Sequence, residues 1–157
     1  MRIVGEAESG GLRMSLDLEK AKSVLVEGGY TCVLVKGEVV DVSVERGIRP
    51  LFQIVKSRTD REGYSAADKV VGKAAAFMYV LMKVRKVFAQ VISVPALEVL
   101  EGAGIEVSYG ECVTAIRNRT DTGFCPMESA VMDVKEPEEA YVILEKKLEE
   151  MRMKDVK

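Results

Sequence analysis

The chain contains no histidine and no tryptophan, and only 3 cysteines and 4 prolines among its 157 residues. The missing histidine excludes every His-dependent catalytic triad and every zinc site built on mixed Cys and His ligands. Cys32, Cys112 and Cys125 form no CxxC pair, and an odd count suits a reducing compartment. Cofactors and metals are therefore not expected. No apolar run approaches the roughly 20 residues of a membrane span. The opening MRIVGEAESGGL also lacks the apolar core of a signal peptide. These absences predict a cytoplasmic protein with no membrane partner. Charge of one sign is scarce too: 23 basic against 25 acidic residues leave a net charge of −2, so a surface devoted to nucleic acid is not expected.

What is present suits one soluble domain spanning 1–157. Apolar residues make up 48% and charged residues 31%, an ordinary balance. A chain of this length buries about 68–70% of its unfolded surface, enough for a core without metal or disulfide.

The stretch Tyr64–Lys83 (YSAADKVVGKAAAFMYVLMK) organises the rest. Its small and apolar residues predict a central helix buried on more than one side, with Ser65 as N-cap and Asp68 in the capping-carboxylate position. On that helix Lys69 and Lys73 would lie one turn apart on one face. Lys69 would then sit in the first turn, where the dipole disfavours a cation and a carboxylate or bound anion would compensate it.

Around it the pattern predicts alternating elements. Residues 1–12 read as a flexible lead or a short added strand. A helix starts at Ser15 and stops at Gly28-Gly29. Thr31–Lys36 and Val39–Val44 form a hairpin through Gly37-Glu38, with Val40, Val42 and Val44 on one face. Pro50 opens a short helix through Lys56, and SRTDREG is a solvated loop or a flap over a site. Val87–Ile92 is a buried strand, followed by a helix from Val94-Pro95 to Leu100 and a strand Ile105–Tyr109. Residues 112–116 fit either a fifth strand or a helical turn. Pro126 starts another short helix, and 137–153 forms a C-terminal amphipathic helix with Tyr141, Leu144, Leu148 and Met151 on one stripe. Two strand–helix–strand crossovers demand parallel neighbours and the hairpin an antiparallel pair. The expected class is α/β: a three-layer α-β-α fold around a mixed sheet of four to five strands.

Three segments carry a resemblance: ADKVVGKAAA, the helix entry VISVPALEVLE, and IRNRTDTGFCPME. The run SVPALEV resembles the Ser-x-Pro-Cys-x-x-Cys entry of the cytidine deaminase-like fold. From about Ser15 to Met132 the chain resembles a prokaryotic family of unknown function placed in that fold. The resemblance implies that architecture and a nucleotide-sized pocket. It does not carry over zinc chemistry, because the metal-binding cysteine positions hold Ala96 and Val99 and the first motif's place holds Asp68-Lys69.

Ligands of α/β sheets sit beyond the carboxyl ends of parallel strands, near helix N-termini. The residues expected there are Asp68, Lys69, Lys73, Ser93, Arg117, Asn118, Arg119, Cys125 and Glu128. With Pro126 as first helical residue, Cys125 is the N-cap. Its thiol pKa would fall there, more so beside Lys69, Arg117 or Arg119, making it a candidate nucleophile. Asp68 or Glu128 would accept protons. Lys73, Arg117 and Arg119 would hold an anionic or nucleotide-like small molecule, with Asn118 shaping the turn and Ser93 leading into a helix. Each has a plainer role as well: packing for Cys125, capping for Asp68, helix-start charge for Glu128, surface charge for the cations. Cys32 and Cys112 read as packing residues. Two functions stay open, an enzyme using Cys125 and a binding or regulatory module without chemistry. A scaffold acting through the C-terminal helix is a third, and a homodimer is expected only from general frequency.

Overall fold

The computed structural model describes residues 6–45, 47–116 and 125–156, with side chains described from residue 16 and up to residue 153. Arg117, Asn118 and Arg119 fall outside the described residues.

Helix α1 (Glu6–Gly28) is followed by β1 (Cys32–Lys36), β2 (Val39–Ser43), α2 (Arg49–Ser57) and β3 (Ser65–Val71). Then come α3 (Lys73–Met82), β4 (Lys86–Ser93), α4 (Val94–Gly102), β5 (Glu106–Val113), α5 (Pro126–Ala130) and α6 (Pro137–Val156). The strands form one mixed sheet in the order β2-β1-β3-β4-β5. β1 is antiparallel to both β2 and β3, while β3, β4 and β5 run parallel. No described helix is long and apolar enough to cross a membrane.

Among the described helices, α1 alone packs on one face, where Ala21 and Leu25 meet Val33, Val35 and Ala67. The other described helices lie on the opposite face over the larger core, centred on α3 with Phe77, Met78 and Tyr79. Asp17, almost fully buried, accepts a hydrogen bond from the Gly37 N–H and so ties α1 to the hairpin turn. Gly37 has φ +62°, as the first position of a two-residue hairpin turn requires. The stripe of α6 docks on its own core: Leu144 is fully buried and Tyr141 stacks on Phe52 at 4.9 Å.

Two expectations need correction. The helix expected from Ser15 already begins at Glu6 and runs through Gly10 and Gly11, so 6–12 is neither lead nor added strand. Each glycine costs the helix about 1 kcal/mol relative to alanine, against which α1 is anchored by its packing further along. The expected central helix is a strand followed by a helix: residues 65–71 form β3, and α3 begins only at Lys73 with Gly72 as N-cap. A strand covered on both faces shows no alternation to betray it, and Ala66 and Ala67 mimic a helix former. Of the segment 112–116, left open between strand and helix, residues 112 and 113 continue β5, and 114–116 are neither.

Side-chain alternation slips by one residue across the sheet. Ala66 and Asp68 face the helix-rich core, and so does Val71, while Val70 is 46% exposed. In β4, Ala89 and Ile92 share that face in the same way. The neighbouring position in β5 is Gly110, where a Cβ would lie 2.9 Å from the Gln90 carbonyl oxygen. Glycine is the residue that lets the strands approach there.

Candidate functional site

The carboxyl ends of β3 and β4 deliver the chain into α3 and α4. At α4 the expected geometry holds: Ser93 is the N-cap, fully buried, and its hydroxyl accepts the Ala96 N–H at 3.2 Å. Pro95 follows in the first turn, where its missing N–H costs nothing. Ser93 is thus engaged by its own helix.

At α3 the N-cap is Gly72, which has no side chain to offer. Glu128 of α5 supplies the acceptor instead. Its Oε1 takes the Lys73 N–H at 2.6 Å and its Oε2 the Ala74 N–H at 2.8 Å. Two of the orphan donors of the helix start meet a carboxyl group that the positive end of the dipole favours. A Cβ at position 72 would lie 2.4 Å from the Glu128 carboxyl carbon, so the missing side chain makes the seat. Lys73 Nζ donates to the Met132 carbonyl oxygen at 2.8 Å and lies 5.7 Å from the Phe77 ring centre, fastening the segment after α5 to the same turn.

Cys125 is the N-cap of α5, with Pro126 following, as the sequence predicts. Its thiol is half-buried against the core and makes no capping hydrogen bond. No hydrogen bond described here joins it to Asp68, Lys69 or Glu128. α5 has only five residues, so its dipole is short.

Asp68 and Lys69 are separated from this place by the corrected strand. Lys69 is exposed, its backbone N–H bonded to the Thr31 carbonyl oxygen, and it shares no helix face with Lys73. Asp68 points into the core beneath α3. Its Oδ2 accepts the Tyr79 hydroxyl at 2.7 Å and its Oδ1 the Val70 N–H at 3.2 Å. The Tyr79 oxygen lies 3.2 Å from Cys32 Sγ, and with its own proton on Asp68 it accepts from the thiol. Cys32 stands directly opposite Asp68 on the neighbouring strand. Burial pushes the Asp68 carboxyl up to about 7, opposed by its hydrogen bonds from Tyr79, Val70 and Lys69. Burial, with the Asp68 charge behind it, raises the Cys32 thiol far out of the reactive range and raises Tyr79 too. Asp68 is therefore no capping residue, and Cys32, expected as inert packing, is the outer member of a buried polar cluster. Cross-strand pairing of Cys32 with Asp68 follows from register, which the sequence does not display.

An open groove of about 520 Å³ runs from Lys73 and Pro95 between α3 and α4 to the start of α6. Phe77, Val99 and Pro137 line it, with Lys135 and Glu98 among its charged residues. Sequence reading placed Lys73 here but missed Lys135, which follows Val134 in the turn before α6. A second groove of about 380 Å³ lies at the other end of the parallel strands, flanked by Lys36, Lys83 and Arg85. Among the described residues no group of three or more His, Cys, Asp or Glu is placed to hold a metal ion.

No curated protein matches the chain in sequence. Among solved structures, it is similar to the crystal structure of TM1506, a DUF1893 family protein from Thermotoga maritima, at 27% identity and a TM-score of 0.78, over 93% of each chain. The sequence profile named TM1506, a domain of unknown function (DUF1893), matches residues 20–148. By that match across most of its length the chain belongs to the DUF1893 family.

Proposed function

We propose that the chain is a cytoplasmic ligand-binding or regulatory module of cytidine deaminase-like architecture. It works without zinc and without chemistry of its own, and takes an anionic, nucleotide-sized small molecule in the α3–α4–α6 groove. The strand order β2-β1-β3-β4-β5, with a helix after each of the first two parallel strands, supports the architecture. So does the SVPALEV entry into α4. A zinc deaminase ligates its metal with cysteines at that entry; here Ala96 is fully buried and Val99 lines the groove, and neither has a donor atom. These residues do not fit zinc.

The observation that carries the reading is the groove bordered by Lys73 and Lys135. The anion position at the start of α3 is itself filled by the Glu128 carboxyl. An incoming ligand is left the Lys73 side of the turn and the groove beyond. There Lys73 and Lys135 supply two positive charges against the single carboxylate of Glu98, and Phe77, Val80 and Val99 an apolar wall. An enzyme built on Cys125 draws less support, since its thiol has neither of the expected proton acceptors as a described partner.

Thermal unfolding in the presence of CMP, AMP, ADP and citrate tests this. A true ligand at a hundred times its Kd adds about 2.7 kcal/mol and raises the midpoint by several degrees. Lys73→Met removes the shift, and chromatography of the incubated compound shows it unchanged. A flat response across the panel, or consumption of the compound, overturns the proposal.

A further inference from the structure

The sheet has two edges that differ in how they are guarded. β5 carries Glu106, Glu111 and Gly110, residues that discourage the addition of another strand. β2 instead exposes Val39 (50%) and Val42 (45%), with Val44 (68%) just past its end. Val40 packs against the α1 side of the sheet, so alternation places Val42 on that face too, and Val44 would join them if the strand is extended by one residue on pairing. The two-residue turn makes Lys36 and Val39 the first pair to exchange hydrogen bonds. Residues 40 and 42 then direct their N–H and C=O groups away from β1, to the open edge.

We propose that β2 is the pairing surface for a second copy of this chain, aligned antiparallel about a two-fold axis through Val42, so that two five-stranded sheets become one. In that register Val40 faces Val44 of the second copy and Val42 faces its own equivalent. Three apolar cross-strand pairs result, and such pairs are the unit of sheet stability. On the other face Asp41 meets Ser43. Moving the axis by one residue to Asp41 sets two carboxylates against each other, which selects the Val42 register. Asp41 arrives already held by Arg61 Nε at 3.0 Å, and Glu45 of one copy comes over Val39, whose neighbour on β1 is Lys36. The palindromic pattern Val-x-Val-x-Val, which sets no like charges opposite each other in this register, fits an identical strand better than an arbitrary one. The contact is centred on a short strand, so it is smaller than the interface of about 1,600 Å² usual for stable complexes, and the association depends on concentration.

Sedimentation velocity over a low-to-high micromolar series shows the wild-type chain moving from monomer to dimer. Val42→Lys weakens the dimer by on the order of a hundredfold, because like charges then face each other across the axis, while the far-ultraviolet circular dichroism is unchanged. Val42→Cys gives a covalent dimer under mild oxidation, since hydrogen-bonded partners stand about 5.5 Å apart at Cα, within disulfide reach. Asp41→Cys, which faces serine, does not. The wild type controls for Cys32, Cys112 and Cys125. A chain that stays monomeric with no Val42→Cys link overturns the proposal. So does a dimer untouched by Val42→Lys, or an Asp41→Cys link as fast as that of Val42→Cys. Should Val42→Lys fail to fold, the two cysteine variants decide alone.

Discussion

Asp68 and Glu128 are carboxyl groups that both serve α3, from different directions and by different physics. Asp68 lies buried beneath the helix and meets the Tyr79 phenol, itself in contact with the Cys32 thiol, and an amide of its own strand. Glu128 lies at the helix start, half-exposed, and meets two backbone amides at the positive end of the dipole. The first is dominated by desolvation, which favours its protonated form. The second sits where donors converge. Sequence alone gives both as acidic residues near a helix; burial and donor geometry give them different surroundings.

The largest test of that contrast is pH. An unfolded aspartate titrates near about 3.9, whereas folded Asp68 titrates at about 7. Between those values the folded chain keeps a proton that the unfolded chain has released. Stability is therefore greatest below the unfolded value, falls as pH rises through the window, and levels off above the folded value. The fall amounts to roughly 4 kcal/mol at most. Urea denaturation at a series of pH values reads it, and Asp68→Asn flattens the curve. An unchanged slope in Asp68→Asn breaks the contrast.

Next comes Glu128→Ala, expected to cost about 3 kcal/mol because two amides lose a charged acceptor. Gly72→Ala pushes the carboxyl off the same amides. In a double-mutant cycle the two therefore fall well short of additive, and full additivity would mean that the seat is not shared. Tyr79→Phe costs about 2 kcal/mol near pH 8 and less in acid. It also extends the fall in stability to higher pH, since the Tyr79 hydrogen bond is the largest of the three that pull Asp68 down. The smallest effect belongs to Ser93→Ala, about 1 kcal/mol. As a local cap it sets the scale for what Glu128 supplies from a distance.

Much of the fold was legible. The hairpin, the Pro-led helices α2, α4 and α5, the buried strand β4 and the α6 stripe all announce themselves through local signals: a Gly-first turn, proline at a helix start, a run of β-branched residues. The misreading fell where local signals conflict. SAADKVV is rich in alanine and has no alternation, because helices cover both faces of β3. The Val70-Val71-Gly72 run, β-branched residues followed by a capping glycine, was the cue that a strand ended there. The candidate site was less legible, because its contacts are long-range. Lys73, Ser93 and Glu128 were singled out from sequence, and Lys73 and Glu128 do meet. Nothing local tells that Glu128 caps a helix in another part of the chain, or that Cys32 stands opposite Asp68 on the next strand. Arg117, Asn118 and Arg119 lie outside the described residues.

The Glu128 clasp has a consequence for synthesis. The amides of Lys73 and Ala74 wait for a side chain that is translated 55 and 54 residues later. While the chain is emerging from the ribosome, the sheet can assemble through β5, but the leading turn of its covering helix stays open to water. Only when the last fifth of the polypeptide is out can that turn close, so a nascent chain stalled before residue 128 should fray there first.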